Sequence, residues 1–324
     1  MSKRWGLLLG LMLAGSATWA AEQTVKVLSP ARFALQAGDL SIGLSQDWRQ
    51  PLPQISRAVI IIHGRLRNAQ SYLRSAEDAA RHAGQSASTL LIAPQFLNDA
   101  DIKRHRLGDT LLHWQGNHWM AGESSIGRGQ ISSYGVLDQI IEHLGNRQLF
   151  PGLKEIVVAG HSGGGQVVQR FALTGHDHPT LRAAGISLRY VIANPSSYAY
   201  FSPQRPVKFE PASCVGFNEW KYGMQHLPAY ANGRSHEELE TAYAAKDITY
   251  LLGQQDTDPN HPALDKSCAA EVQGAYRLIR GQHYFDYLKR RHPQIQQKLI
   301  EVPGVGHNGD KMFTSPEGQA ALFD

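Results

Sequence analysis

The chain has 324 residues, with 32 Lys and Arg against 28 Asp and Glu, a formal net charge of +4 and two cysteines. Apart from the short "KRHR" at 103–106 no basic run stands out, so nothing supports nucleic-acid binding. The length suits one α/β core with insertions.

The first twenty residues read as a signal peptide. Lys3 and Arg4 give a positive start, and "WGLLLGLMLAG" is apolar but too short to span a bilayer comfortably. Small residues at Thr18 and Ala20 place a cleavage site before Ala21. No stop-transfer flank follows, which argues against an uncleaved anchor. Residues 21–324 are the expected exported chain, periplasmic or secreted, with no stable membrane anchor after cleavage. Its charge is about +2.

Strand and helix signals then alternate. "TVKVLSPARFALQAGDLSIGLS" (24–45) has alternating polarity and suggests antiparallel edge strands. "RAVIIIHG" (57–64) and "STLLIAPQF" (88–96) read as buried strands. Between them, "SAEDAARHAG" (75–84) reads as a helix capped by Ser75. "SSYGVLDQIIEHLG" (132–145) is amphipathic, with Val136, Ile140, Ile141 and Leu144 on one stripe. "LKEIVVAG" (153–160) predicts a strand and "GQVVQRFALTG" (165–175) a helix after it. Further strands are expected at 188–195, 247–253 and 297–304, a long helical stretch at 269–293 and a final helix at 315–323. This order predicts a mostly parallel sheet with helices on both faces. Residues 97–130 and 196–244 interrupt the alternation and read as lid-like inserts. Trp114, Trp119, Tyr198, Tyr200, Phe201, Trp220 and Tyr222 lie in them, either lining a pocket or packing the inserts onto the core.

Gly160-His161-Ser162-Gly163-Gly164 matches G-x-S-x-G between a predicted strand and a predicted helix. That context favours a serine held on a strained turn, with its hydroxyl clear of the sheet. The rival phosphate loop fails, because no Lys follows these glycines as a Walker loop requires. A dinucleotide fingerprint started at Gly163-Gly165 would end on Val168 instead of Gly.

A serine nucleophile needs a base. Of 15 histidines, His307 in "VPGVGHNGDKMF" is the strongest, in a Gly-flanked loop after the last predicted strand. His63 follows the first buried strand; His161 adjoins Ser162 and is expected to point away from it. The acid that orients the base should fall between serine and histidine in chain order. "YLLGQQDTDP" offers Asp256, favoured as nearer the strand end, with Asp258 as the alternative. Asp256, Asp258 and Asn260 also have the spacing of a calcium loop, but His261 and Ser267 occupy positions where that loop needs Gly and Glu. The backbone N–H of Gly163 is one expected oxyanion donor. The other comes from "IIIHGRLRNA", with Arg65 first and Leu66 next. Cys214 and Cys268, an even count in an exported chain, suggest one disulfide over separate buried thiols. It would close about 54 residues, for which chain entropy gives roughly 4 kcal/mol.

The strand-HG loop, the GHSGG turn, an acid after a later strand and a His after the last one resemble the α/β-hydrolase superfamily across residues 55–320. "HGRLRNA", "YLLGQQDTDP", "LDKSC" and the "QGAYRLIRG" segment also resemble a less characterised group of exported α/β-hydrolases. The resemblance implies an α/β-hydrolase fold with a mostly parallel central sheet, and a serine hydrolase. Arg65-Leu66 departs from the HGGG loop of lipases. The expected activity is cleavage of carboxylic esters, small-molecule or polymeric, through an acyl-enzyme on Ser162, His307 and Asp256, without metal or organic cofactor. A peptidase, amidase or thioesterase on the same triad, or an inactive binding module of the same fold, are the alternatives.

Overall fold

The computed structural model describes residues 23–231 and 233–324; the expected signal peptide, residues 1–20, lies outside the described residues. The β-branched runs become strands of one sheet. They are β1 (Ala31–Leu35), β2 (Gly38–Leu44), β3 (Arg57–Ile62), β4 (Thr89–Gln95), β7 (Glu155–His161), β8 (Ser187–Ala193), β9 (Asp247–Gly253) and β10 (Lys298–Val302). Their order is β1-β2-β4-β3-β7-β8-β9-β10. β1 and β2 pair antiparallel, as does β2 with β4; all other neighbours are parallel. The alternating 24–45 segment thus supplies the antiparallel edge. The strands β5 (Leu97–Asn98) and β6 (His113–Trp114) form a separate two-stranded ladder in the first insert.

Helices follow in the order α1 (Ala69–His82), α2 (Asp99–His105), α3 (Ser133–Leu144), α4 (Gly163–Thr174), α5 (Pro179–Ala183), α6 (His236–Ala244), α7 (Cys268–Glu271), α8 (Arg277–Arg291), α9 (Gly309–Thr314) and α10 (Pro316–Phe323). Successive strand side chains point to opposite faces, so each strand feeds two cores. Ile60, Ile62, Ile156, Val158 and Ile192 pack with α3, α4 and α8. Val59, Ile61, Val157, Ala159 and Leu251 pack with α1, α9 and α10.

Two helix boundaries differ from the sequence reading. α1 starts at Ala69, because Ala69, Leu73 and Ala76 already carry its buried stripe. Ser75 therefore lies inside the helix rather than capping it, and its hydroxyl donates to Asp310 at 2.7 Å. The 269–293 stretch is two helices, α7 and α8. Gly274 separates them with φ +145°, a conformation that favours glycine.

Most of the insert aromatics are core. Trp114, Trp119, Tyr198 and Tyr200 are fully buried and Phe201 nearly so. Trp119 stacks on Phe96 with centroids 5.5 Å apart, and Tyr198 on Tyr284 at 4.5 Å. Cys214 and Cys268 form a disulfide that joins the turn at Pro211–Ser213 to the start of α7.

Candidate active site

Ser162 sits between the end of β7 and the start of α4 with φ +59° and ψ −118°. This is positive-φ backbone in a non-glycine residue, which persists only where the surroundings enforce it. The Ser162 N–H donates to the Ala193 carbonyl at 2.9 Å, and the Ser162 carbonyl accepts from Gln166 N–H at 3.0 Å. The glycines permit the approach of strand and helix. A methyl on Gly164 would overlap the Ile62 carbonyl oxygen, and one on Gly160 would come within 2.5 Å of the Gly164 backbone. Gly165, to which sequence reasoning gave no role, faces the Ala193 carbonyl at the same 2.5 Å.

The loop after β10 brings His307 to this turn. The Ser162 hydroxyl is 2.9 Å from His307 Nε2, and His307 Nδ1–H donates to Asp256 Oδ2 at 2.7 Å. Asp256 follows β9 and is only 3% exposed. Asp258 lies at the surface and accepts from Asn260 N–H at 2.8 Å, away from His307. Asn194 Nδ2–H donates to Asp256 Oδ2 at 2.8 Å, and Arg277 Nη1 lies 3.4 Å from Oδ1. Burial alone would raise the Asp256 pKa. The bond from His307, the His307 and Arg277 charges and the Asn194 amide outweigh it and hold the carboxyl below its ordinary range. Burial pushes His307 below its usual value, and the Arg277 charge adds to this while Asp256 opposes it. His307 is thereby favoured as a neutral imidazole, with Nδ1 facing the Asp256 carboxylate.

The "HG" loop after β3 lies against the serine turn. A methyl built on Gly163 would come within 3.1 Å of the Arg65 backbone nitrogen. Among the described residues neither the Arg65 nor the Gly163 amide has a protein acceptor. His63 does not reach the serine. It is wholly buried, donates from Nδ1 to the Gly64 carbonyl at 2.9 Å and accepts the Phe96 N–H on Nε2 at 3.0 Å. Burial lowers its pKa to about 4. The loop is further braced by the buried Arg67–Asp101 pair at 2.6 Å.

His161 does not turn away from the site. Its ring lies 4.6 Å from the His307 ring, and the Tyr72 hydroxyl is 3.0 Å from its Nδ1. Burial pushes its pKa well below the ordinary value, so it stacks as a neutral ring.

Two clefts meet at Ser162 and Arg65. One, of about 460 Å³, is walled by Leu66, Tyr72, His161, His261 and His307. The other, of about 320 Å³, runs past Gly163 and is walled by Met120, Gln166, Lys221, Tyr222 and Asp265. Of the insert aromatics named from sequence, Tyr222 is the one on these walls. Sequence reasoning missed Asn194, Arg277 and Gln166, and named His161 without a place on the cleft wall. Asn194 carried a usable signal, since it directly follows a strand at the sheet's carboxyl edge.

No family model matches the chain, and no curated protein matches it. Among solved structures, a poly(3-hydroxybutyrate) depolymerase from Bordetella parapertussis is similar with a TM-score of 0.61 and 20% identity, over 88% of this chain and 87% of that one. Poly(aspartic acid) hydrolase-1 from Sphingomonas sp. KT-1 is similar with a TM-score of 0.61 and 22% identity, over 93% of this chain and all of that one.

Proposed function

We propose that this chain, whose sheet and helices make the α/β-hydrolase fold, is a serine hydrolase of carboxylic esters. The observation that carries the reading is the continuous hydrogen-bonded path from Ser162 through His307 to Asp256. In the proposed route the Ser162 oxygen attacks the ester carbonyl carbon while His307 Nε2 takes the hydroxyl proton. Asp256 stabilises the imidazolium and does not itself take the proton. The tetrahedral oxyanion is held by the Gly163 and Arg65 amides, both free to donate and both part of a braced turn. The imidazolium gives its proton to the departing alcohol, leaving an acyl-serine. Water then attacks this ester with His307 as base, and the acid leaves with Ser162 restored.

His307 must reach the departing oxygen. It lines only the cleft of about 460 Å³, so the alcohol portion is assigned to that side and the acyl portion to the Gly163 side.

We also propose that residues 1–20 are removed on export and that 97–130 and 196–244 act as lid-like inserts. Support for export is the Lys3-Arg4 start before an apolar run, together with the disulfide. Among the described residues no helix is long and apolar enough to cross a membrane. The two structural neighbours are named for action on poly(3-hydroxybutyrate), a polyester, and on poly(aspartic acid), a polyamide, so polymers of both bond types belong in a substrate panel.

Fluorophosphonate labelling of the folded chain beside Ser162→Ala tests the reading. Labelling that depends on Ser162, with turnover of a p-nitrophenyl ester, is expected. A folded chain that takes no label would sink it.

A further inference from the structure

The acyl-side cleft is built differently from its neighbour. Gln166 sits on the first turn of α4, four residues after Ser162, and is 5% exposed. Its Oε1 accepts from Arg170 Nη2 at 3.0 Å and from the Ser197 hydroxyl at 3.1 Å. A guanidinium can only donate, so the amide orientation is fixed by chemistry. Its Nε2 is therefore the end turned to the cleft, open to solvent and with no acceptor among the described residues. This is a preset donor beside Ser162, carried by a buried side chain and presented to the cleft.

The charge around it is also one-sided. Arg65, Lys221 and Lys266 line the cleft with one carboxylate, Asp265; Lys266 is itself held by Glu271 at 3.4 Å and the Pro259 carbonyl, which leaves Arg65 and Lys221 as the cations facing it. The Asp265 carboxylate accepts the Tyr222 hydroxyl at 2.8 Å and the Ser267 N–H at 3.0 Å, and it stands 3.9 Å from Lys221 Nζ. Behind the wall, Arg170 donates to the Lys221 and Met120 carbonyls, Gln166 and Ser197. Arg280 donates to the carbonyls of Gly274, Ser196 and Asp265. Among the described residues neither buried guanidinium has a carboxylate within hydrogen-bond distance. Buried cations are ordinarily paired. Here Asp265 is the carboxylate near both, with Glu271 also near Arg280, so the guanidiniums together with the positive end of α4 leave the cleft with an excess of positive charge.

We propose that the Gly163-side cleft is an acyl subsite for esters whose acyl group carries a carboxylate, held by Gln166 Nε2 and Lys221 Nζ in the field of Arg170 and Arg280. The inference rests on the serine hydrolase reading and specifies its substrate class. It places the preferred ester among half-esters of dicarboxylic acids and chains that present such a unit.

The test compares mono-p-nitrophenyl glutarate with its neutral methyl ester. The wild-type chain is expected to show kcat/KM about tenfold or more in favour of the anion, falling as salt screens the field. Gln166→Glu keeps the acceptor for Arg170 but replaces the donor with negative charge, and is expected to invert the preference. Lys221→Met is expected to bring the ratio toward one. A wild-type ratio of one or less, or a ratio that neither substitution moves, overturns the proposal. A binding measurement with Ser162→Ala and free monomethyl glutarate separates the two readings. If neither ester turns over and no fluorophosphonate label is taken, the hydrolase reading fails. Binding of monomethyl but not dimethyl glutarate would then keep the anion subsite, and no binding would remove it.

Discussion

Asn194 and His307 share one oxygen of Asp256. Asn194 Nδ2–H reaches Oδ2 at 2.8 Å and His307 Nδ1–H reaches it at 2.7 Å. Asn194 has φ +44° directly after β8, and its Oδ1 accepts the Gly253 N–H of β9 at 3.1 Å. One amide therefore ties two strand ends to the carboxylate that accepts from His307.

Asn194→Ala leaves Asp256 a donor short and Gly253 N–H without its acceptor. Loss of a buried partner of a charged group costs about 1–3 kcal/mol. Steady-state kinetics on a p-nitrophenyl ester are expected to show kcat down by about tenfold or more, with KM changed far less. An unchanged kcat would show that the amide does not position Asp256.

Asp256→Asn and Asp258→Asn separate the two acidic candidates. An Asn at 256 cannot fix the His307 tautomer, and kcat is expected to fall by roughly 10³–10⁴. Asp258 faces solvent and caps only its own turn. Its substitution is expected to stay within about twofold of wild type. A large loss at 258 alone would reassign the acid.

The pH dependence follows from burial. His307 must be neutral to accept the Ser162 proton, and its pKa is lowered. The acid limb of kcat/KM for a neutral ester is expected below the ordinary histidine value of about 6.5. A limb midpoint above that value would contradict this environment. Stability has the same sign. The His63 pKa is lowered to about 4, so the unfolded chain binds the extra proton first. The stabilisation is complete above about pH 6.5 and is lost as pH falls from there toward 4, on the order of 3 kcal/mol for this one group. Urea unfolding at neutral and acid pH measures it.

Gly164→Ala places a methyl against the Ile62 carbonyl. Neither strand nor helix can yield without moving Ser162, so a destabilisation of about 3 kcal/mol is expected. Thermal unfolding and ester turnover, followed together, check it. A fully active, equally stable variant would mean that the two elements are not in contact.

Cys214→Ser with Cys268→Ser releases the turn at 211–213 from α7, just beyond Asp265 on the acyl-side wall. The expected loss is about 2–4 kcal/mol of stability. KM for the ester is expected to rise more than kcat falls. Denaturant midpoints with and without reductant on the wild-type chain give an independent measure.

The nucleophile, base and acid candidates were legible because each sits just past an apolar strand that its own residues announce. The sheet was legible for the same reason: "RAVIII" and "EIVVAG" admit few other placements. The supports were not. Arg277 reaches Asp256 from a helix start 21 residues later, and Asp101 reaches Arg67 across 34 residues. Gln166 reads as one more polar residue on an amphipathic helix until Arg170 is seen to hold its oxygen. Such contacts depend on how loops return over the sheet, and no local period encodes that. Ser75 misled because a serine before acidic residues signals a cap, while the buried stripe of α1 begins a turn and a half earlier.

The pair Ser162 and His307 is separated by 145 residues of chain. Between them β8 and β9 must add to the sheet, and β10 must pair with β9 before the loop carrying His307 is positioned. α9 and α10 then close the core over α1, with Ser75 bonded to Asp310 across 235 residues. During synthesis Ser162 is made long before His307. If His307 is the base proposed above, turnover reports the last long-range docking step, and a chain stalled before residue 307 is expected to be inert however well its first half has folded.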